Sequence, residues 1–164
     1  MRKTFWVTFI VAIVMIDQLS KWLTETFLPL QELVDVLPFL GLYRTYNYGV
    51  AFSMLSGFGR WPLVLMTLAI MGFVLWLWRS LPDQRHMSEL GFALVLGGAL
   101  GNLIDRIGLG YVVDMIFFHV PQIDFQFAVF NLADTFITLG AFAIIIDEVM
   151  VWRQSRSKQK DTSS

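Results

Sequence analysis

The sequence predicts an all-α integral membrane protein with four transmembrane helices and a small extracytoplasmic β element. Of its 164 residues, 56% are hydrophobic and 15% are charged, whereas soluble domains carry about 25% charged residues. The apolar residues gather in four blocks of roughly 20, the length that crosses a hydrocarbon core of about 30 Å. All 6 tryptophans fall at the ends of these blocks, where aromatic side chains meet the membrane interface.

The predicted helices cover about residues 4–24, 61–79, 88–106 and 131–152. The first predicted helix follows Arg2 and Lys3 and superficially resembles a secretory signal peptide. However, Asp17 comes directly after its apolar run, and a small-x-small cleavage site is missing. We therefore expect a retained membrane helix. Residues 1–152 should form one domain, followed by a basic cytoplasmic tail, 153–164, that is disordered and attracted to anionic lipid.

Basic residues predict the orientation, because Lys and Arg accumulate on the cytoplasmic side. If the helices alternate, one side receives Arg2, Lys3, Arg79, Arg85, Arg153, Arg156, Lys158 and Lys160. The same side receives Trp6, Trp76, Trp78 and Trp152, while Trp22 and Trp61 mark the other. Both termini should therefore be cytoplasmic, with residues 25–60 and 107–130 outside.

The two outer segments account for the β element. Strand-like sequence runs over residues 36–53 and is broken by Pro38, Gly41 and Gly49, so we expect a small sheet at the membrane surface. The second outer segment contains apolar runs at 111–118 and 125–130 and is expected to behave as a lid. The role of residues 120–126 stays open.

Ionisable residues at membrane depth need a physical reason, since each costs roughly 2.5–3.5 kcal/mol at a helix centre. Asp17 and Lys21 lie four residues apart in the first helix and share one face. The first interpretation is a structural ion pair that orients the helix. A supporting role in a functional site and direct catalysis by Asp17 are the alternatives.

The third predicted helix is rich in glycine. Gly97 and Gly101 form a small-xxx-small face that allows close helix approach. Beside it, Gly98, Asn102 and Arg106 form an i, i+4, i+8 stripe that ends at the outer interface. Helix packing with a snorkelling arginine would explain this stripe. Alternatively, Asn102 and Arg106 hold a carboxylate or a substrate carbonyl.

Two aspartates are predicted at the outer surface. Asn131 is a favoured N-cap for the fourth helix, and Asp134 suits the positive end of the helix dipole. Helix capping could therefore explain both Asn131 and Asp134. Asp114 lies inside the apolar stretch YVVDMI, an unusual place for an acid in a solvated loop. Two close carboxylates share a proton because both cannot ionise cheaply, which is the chemistry of an aspartic peptidase.

Other kinds of chemistry are poorly supplied. The chain has no cysteine, which excludes disulfides, thiolate metal ligands and a cysteine nucleophile. His86 and His119 should fall on opposite sides of the membrane, and the sequence has no P-loop, G-x-G-x-x-G or G-x-S-x-G motif. We therefore expect no metal and no cofactor. A net charge of −1 argues against nucleic-acid binding.

Five segments resemble, in order, the motifs of lipoprotein signal peptidase, also called signal peptidase II. They are DQLSK at 17–21, NYGVAFS at 47–53, GGALGNLIDR at 97–106, VVD at 112–114 and FNLAD at 130–134. The resemblance implies a bacterial aspartic endopeptidase of the cytoplasmic (inner) membrane with its active site at the outer face. Its substrates would be prolipoproteins bearing a diacylglyceryl-cysteine, cut just before that cysteine, and membrane lipid would be a further partner.

The resemblance also implies residue roles. The catalytic pair falls on Asp114 and Asp134; the supporting residues fall on Asn47, Asn102, Arg106 and Asn131, with Asp17 and Lys21 as the first-helix pair. Two other function classes compete with this prediction: an ion-coupled carrier or channel subunit that uses the aspartates as a relay, and a structural assembly factor. A carrier needs a polar path to both sides, and the inner halves of the predicted helices offer none aligned with the two aspartates.

Overall fold

Four helices dominate the computed structural model, which describes residues 2–49, 59–82 and 85–161. They are α1 (Arg2–Phe27), α2 (Arg60–Arg79), α3 (His86–Gly108) and α4 (Leu132–Asp161). All four are long and apolar enough to cross a bilayer. The apolar blocks fold as helices because hydrocarbon tolerates only a backbone whose hydrogen bonds are satisfied internally. The predicted fold class is confirmed.

Most helix limits lie within three residues of the prediction, but α4 extends well beyond its predicted end. The segment after residue 152 was predicted to be disordered, but it is helical as far as Asp161. That prediction is wrong over 153–161, and residues 162–164 lie outside the described residues. The sequence RQSRSKQKD contains good helix formers and neither glycine nor proline, so nothing local ends the helix at the membrane surface.

Helix α3 is the centre of the bundle and contacts α1, α2 and α4. In its most apolar stretch 61% of the residues are buried, against 28%, 17% and 11% in α1, α2 and α4. Helices α1, α2 and α4 therefore turn most of their apolar side chains away from the bundle, as expected for helices that face lipid. Helix α3 is apolar because its surroundings are protein.

Glycine in α3 permits this central position. A Cβ added to Gly91 would lie 2.7 Å from the carbonyl oxygen of Gly140 in α4. A Cβ added to Gly97 or Gly101 would collide with side chains of α1. The predicted small-residue face of Gly97 and Gly101 is thus confirmed as a packing surface, and its partner is α1.

The two segments predicted to lie outside the membrane form a single antiparallel sheet. Its strands are β1 (Leu33–Leu37), β2 (Leu40–Asn47), β3 (Val112–Val120) and β4 (Phe125–Gln126), in the order β1-β2-β3-β4. The predicted sheet is confirmed, but it joins both segments because β2 pairs with β3. Within that pairing Thr45 lies opposite Asp114 and Asn47 lies opposite Val112. The register therefore brings Asn47 next to the strand that carries Asp114.

The strand region differs from the prediction at Gly41. Pro38 lies in the turn between β1 and β2, but Gly41 lies inside β2 and does not break it. A Cβ at Gly41 would be 2.5 Å from the side chain of Leu33, so the glycine allows close strand contact. Residues 50–53 of the predicted stretch lie outside the described residues. The second segment, residues 107–130, supplies β3 and β4, and its behaviour as a lid stays a prediction.

Aromatic contacts identify the helix ends that lie together. The rings of Trp6 in α1 and Trp78 in α2 are 6.0 Å apart in a T-shaped arrangement. Trp78 also stacks on Phe92 of α3, with ring centroids 6.2 Å apart. The start of α1, the end of α2 and the first half of α3 therefore share one end of the bundle. The sheet lies at the opposite end, after α1 and α3.

Close packing at Gly91 can be tested by adding a single methyl group. We expect Gly91→Ala to lower the melting temperature in detergent, with a loss of about 1–3 kcal/mol, because the new Cβ meets backbone that cannot move aside. Gly72 in α2 is the matched control, since an added Cβ there has nothing within 4 Å. Gly72→Ala should be neutral or slightly stabilising. Equal melting temperatures for the two variants would contradict the packing described for α3 and α4.

Candidate active site

One asparagine links the two predicted carboxylates. The side-chain amide of Asn131 donates to Asp114 Oδ1 at 2.6 Å, and its backbone N–H donates to Asp134 Oδ2 at 3.3 Å. Asp114, in β3, is 2% exposed, and Asp134, in the first turn of α4, is half-buried. The structure thus brings together two carboxylates that come from a strand and a helix.

Asn131 also caps α4, as its position in the sequence predicted. Its Oδ1 accepts the backbone N–H of Asp134 at 2.9 Å, while the Asp134 carboxylate accepts the N–H of Asn131. This is the reciprocal arrangement of a capping box. Capping and site formation were alternatives at the level of sequence, but the structure uses the same contacts for both. Because the cap occupies the amide oxygen, the NH₂ group is left to face Asp114.

Asn47 is oriented in the same way. Its Oδ1 accepts the backbone N–H of Gly49 at 3.0 Å, just after β2, and its NH₂ group donates to Asp114 Oδ2 at 3.1 Å. Both oxygens of Asp114 therefore accept a hydrogen bond from a neutral amide. Such donors stabilise a carboxylate without placing a full positive charge beside it.

Asn102, in the last third of α3, donates to Asp134. Its Oδ1 accepts from Lys21 Nζ at 2.9 Å and from the Asn131 amide at 3.2 Å. Its NH₂ group donates to Asp134 Oδ1 at 2.8 Å. Three asparagines thus share one design: a structural donor fixes the amide oxygen, and the amide hydrogens face a carboxylate.

The electrostatics of Asp114 suit proton sharing. Burial raises the pKa of Asp114 to about 7, and the nearby carboxylate of Asp134 adds to the increase. Hydrogen bonds from Asn131 and Asn47 and the charge of Lys21 act in the opposite direction. A carboxyl group that keeps its proton close to neutral pH, beside a second carboxylate, can act as the acid of an acid–base pair.

Lys21 forms the predicted ion pair with Asp17, and its ammonium lies 2.8 Å from Asp17 Oδ2. The same nitrogen lies 2.8 Å from Asp105 Oδ2, so one buried cation holds two acids. The other oxygen of Asp17 accepts the backbone N–H of Ala133 at 2.9 Å and thereby fastens the first turn of α4. These contacts favour a supporting role for Asp17 over direct catalysis.

Two residues without a predicted role complete this network. Asp105, which is 3% exposed, accepts the backbone N–H of Val113 at 3.3 Å, and Gln18 donates to its other oxygen at 2.8 Å. Asp105 thus ties α3 to the residue before Asp114. A signal was available in the sequence, because an acid in an apolar helix needs a partner, and Asp105 lies one turn after Asn102 on the same face.

The side chain of Arg106 reaches the site, where its hydrogen bond is to a backbone carbonyl group. Its Nη2 donates to the carbonyl of Gly49 at 3.3 Å, and the residue is only partly exposed. Gly98, by contrast, packs against α4, where an added Cβ would clash with the Ala133 carbonyl. The predicted stripe therefore divides: its glycine serves helix packing, while Asn102 and Arg106 lie at the site.

Two cavities meet at Arg106 and Asp134. The larger, of about 520 Å³, lies between α4 and residues 127–130 and also contacts Asn47. The smaller, of about 250 Å³, is a mainly apolar groove between α2, α3 and α4, with Ile70 and Ile137 in its walls. A substrate that contacts Asp134 could thus place one part beside the sheet and another among the helices.

The buried polar residues of the described ranges form two groups, one beside the sheet and one at the opposite end of the bundle. The second group includes Ser88 and Asp147, and Asp147 accepts from Arg85 Nε at 2.6 Å. Between the groups, from Leu90 to Gly101, α3 contains only apolar residues and glycine, about 18 Å of helix at ~1.5 Å per residue. This separation favours a site on one side of the membrane over a relay across it.

Comparisons with known proteins agree on one family. Residues 9–150 match the family model described as Signal peptidase (SPase) II. A lipoprotein signal peptidase of Sinorhizobium fredii is 56% identical over 149 residues, covering 91% of this chain and 89% of the relative. A lipoprotein signal peptidase of Brucella ovis is 49% identical over 157 residues, covering 94% of this chain and 97% of the relative.

Solved structures share the fold. Two chains described as a bacterial membrane enzyme superpose with TM-scores of 0.78 and 0.74, each at 29% sequence identity. The first comparison covers 90% of this chain and 88% of the other, and the second covers 87% and 91%. The likeness therefore extends over the helices and the sheet together.

The buried ion cluster predicts a specific stability pattern. Lys21→Met should lower the free energy of unfolding by about 3–5 kcal/mol, because two acids lose their cation. Adding Asp17→Asn should recover part of this loss: it removes one charge, keeps an oxygen for the Ala133 N–H, and offers an amide donor to Asp105. Thermal unfolding in detergent measures both effects. If Lys21→Met alone were as stable as the double variant, the cluster would not constrain the fold.

Proposed function

This chain belongs to the signal peptidase II family, and we propose that it is an aspartic endopeptidase that removes signal peptides from diacylglyceryl-modified prolipoproteins. The observation that carries the proposal is the pair Asp114 and Asp134, held in one site by amide donors. Burial and the neighbouring carboxylate raise the pKa of Asp114 to about 7. Among the described residues this arrangement supports acid–base hydrolysis of a peptide bond.

The proposed reaction uses water and the two carboxyl groups. Asp134 lines both cavities and, when ionised, takes a proton from the attacking water. Asp114 holds the shared proton and favours negative charge on the carbonyl oxygen as the tetrahedral intermediate forms. When the C–N bond breaks, the leaving amine of the lipidated cysteine receives a proton from the pair. The products are the free signal peptide and an apolipoprotein with a new N-terminal cysteine.

The cavities accommodate the two chemical halves of such a substrate. The groove between α2, α3 and α4 is mainly apolar and opens among lipid-facing helices, so it suits hydrophobic parts of the substrate. The larger cavity adds Asn47, Thr135 and Thr138 to its apolar wall, which suits backbone carbonyls and amides near the scissile bond. Asn47, Asn102 and Asn131 then hold the carboxylates, and Arg106 binds backbone.

We place the site at the outer face of the bacterial cytoplasmic membrane, with both termini inside. The distribution of basic residues supports this orientation. Arg79 and Arg85 lie at the end of the bundle opposite the sheet, together with the tryptophans at the start of α1 and the end of α2. The sheet and both aspartates then face outward, toward the segment of the lipoprotein that is exposed after translocation.

The function can be tested with the purified protein and a diacylated lipobox peptide, with the product identified by mass. We expect a single cut before the lipidated cysteine. Asp114→Asn and Asp134→Asn should each reduce turnover by at least about 10²-fold, because an amide cannot exchange the proton. Both variants should still fold, although an amide NH₂ that faces another donor costs about 1–3 kcal/mol.

Asp35→Asn serves as the control for this isosteric change. Asp35 lies on β1, and its side chain is 65% exposed, so we expect wild-type turnover. Near wild-type activity in either Asp114→Asn or Asp134→Asn would falsify the assignment of the pair. Cleavage of the peptide at another bond would contradict the proposed specificity.

The pair should also give a characteristic pH profile. The pKa of Asp114 is raised to about 7, so its proton is retained up to near neutrality and is lost as the pH rises further. Activity should therefore fall as the pH rises through about 7, because both carboxyl groups are then ionised. This fall is the alkaline limb of the pH profile. The charged groups facing Asp114 are Asp134 from α4, Lys21 from α1 and Arg106 from α3. A kcat/KM that stays constant from pH 6 to 9 would exclude Asp114 as the acid.

A conservative substitution of Arg106 can distinguish a role in the reaction from simple snorkelling to lipid headgroups. Lysine reaches lipid headgroups equally well, but it lacks the planar fork that can hold Gly49 and a substrate carbonyl together. We expect Arg106→Lys to reduce kcat/KM about tenfold or more, a loss of ~1.4 kcal/mol, with little change in melting temperature. Arg79→Lys, at the exposed inner end of α2, is the control. Full activity in Arg106→Lys would leave Arg106 without a role in the reaction.

A further inference from the structure

The C-terminal end of α1 is electrostatically unfavourable by itself. Its last turn contains no basic residue, and Glu25 places a negative charge near the negative end of the helix dipole. The final carbonyl groups of a helix also have no intrahelical partners. A cationic side chain from outside the helix would stabilise this end through both its charge and its hydrogen-bond donors.

Arg44 of β2 supplies both. Its Nη1 donates to the carbonyl oxygens of Glu25 at 2.9 Å and Leu28 at 3.2 Å. Its Nη2 lies 3.9 Å from the Glu25 carboxylate. The backbone carbonyl of Arg44 accepts the N–H of Gln31 at 3.0 Å. The side chain of Arg44 thus fastens strand β2 to the end of α1, and its backbone fastens β2 to the segment between α1 and β1.

The guanidinium is also held from within β2. Arg44 Nη2 donates to the hydroxyl of Tyr46, and the Arg44 guanidinium carbon lies 5.4 Å from the centre of the Tyr46 ring. That ring lies 4.3 Å from the ring of Tyr111, which precedes β3. Asn47 follows Tyr46 directly, so any displacement of the clamped segment moves the amide that donates to Asp114.

We propose that Arg44 is a positioning residue, which clamps β2 to the end of α1 and thereby holds Asn47 against Asp114. The inference rests on the proposed function in that Asp114 is taken as one of the reacting acids. None of the contacts described for Arg44 reaches Asp114 or Asp134, so its effect is indirect. Its partners lie in residues 25–31 and in β2, and none of them lines the two cavities at Arg106 and Asp134.

The clamp has a signature that general destabilisation lacks. The hydrogen bond from Asn47 stabilises the ionised form of Asp114 and so lowers its pKa. If β2 loosens, this bond weakens, the proton is held to higher pH, and the alkaline limb of activity moves upward. A smaller fraction of folded enzyme would reduce the rate equally at every pH.

The experiment compares Arg44→Gln with Arg60→Gln, which also removes a positive charge from the outer end of the bundle. In Arg44→Gln we expect the alkaline limb to rise by roughly half a pH unit, as in an Asn47→Ala reference. Hydrogen exchange in detergent should become faster in peptides covering residues 24–28 and 40–47 and remain unchanged in α4. Arg60→Gln should alter neither measurement. If Arg44→Gln fails to fold, Tyr46→Phe, which removes a single partner of Arg44, takes its place.

Each other outcome is decisive. If the alkaline limb of activity shifts in Arg44→Gln while hydrogen exchange is not faster, Arg44 acts only through its charge. That result would overturn the clamp. Faster exchange with an unmoved limb would show a purely structural contact and would overturn the positioning role. If the wild-type protein cleaved no diacylated peptide, the proposed function would fail, whereas unchanged exchange in Arg44→Gln would independently refute the clamp.

Discussion

The buried ammonium of Lys21 forms the contacts on which the sheet end of the bundle depends. Charges removed from water cost several kcal/mol each unless they are paired. Lys21 therefore fixes the positions of its partners, Asp17 on its own helix and Asn102 and Asp105 on α3. Asp17 extends the network to the first turn of α4 through the Ala133 N–H. One cation thus aligns three helices at the level of the candidate site.

The arrangement keeps this cation one residue away from Asp134, one of the two proposed catalytic carboxylates. Lys21 contacts the oxygen of Asn102, and the amide hydrogens of Asn102 contact Asp134. A lysine bound directly to either carboxylate would favour the doubly ionised pair, which cannot share a proton. Neutral amides supply directional hydrogen bonds at a smaller electrostatic effect. The site therefore combines the stability of a buried ion cluster with carboxyl groups that can still exchange protons.

The two halves of the site belong to different structural units. Asn47 and Asp114 lie on the sheet, whereas Asn102, Asp134 and Arg106 lie on helices. Asn131 joins the halves directly, Asp105 joins them through the N–H of Val113, and Arg44 joins β2 to α1. Because glycines bring α3 close to its neighbours, the helical half has little freedom to shift. The relative position of Asp114 and Asp134 thus depends on contacts between the sheet and the helix bundle.

Local information in the sequence was sufficient for the helices, for the membrane environment and for most candidate residues. Hydrophobic length determines a span without reference to other segments, and the cap at Asn131 and Asp134 is encoded within four residues. Asn102 and Asp114 were noticed from their spacing and surroundings, and the motifs of the family added Asn47; the structure brings all three to one place. The helical extension to Asp161 was missed because the expectation relied on polarity rather than on the absence of a helix-ending residue.

Only the tertiary structure decided the rest. Pairing between β2 and β3 joins residues 67 positions apart, as Asn47 and Asp114 are, and no local pattern specifies such a partner. The roles of Gln18, Arg44 and Asp105 likewise arise from segments that meet only after the helices pack. Composition and spacing determine which groups a chain can bury, but the packed fold determines which of them touch, and therefore which carboxylate keeps its proton.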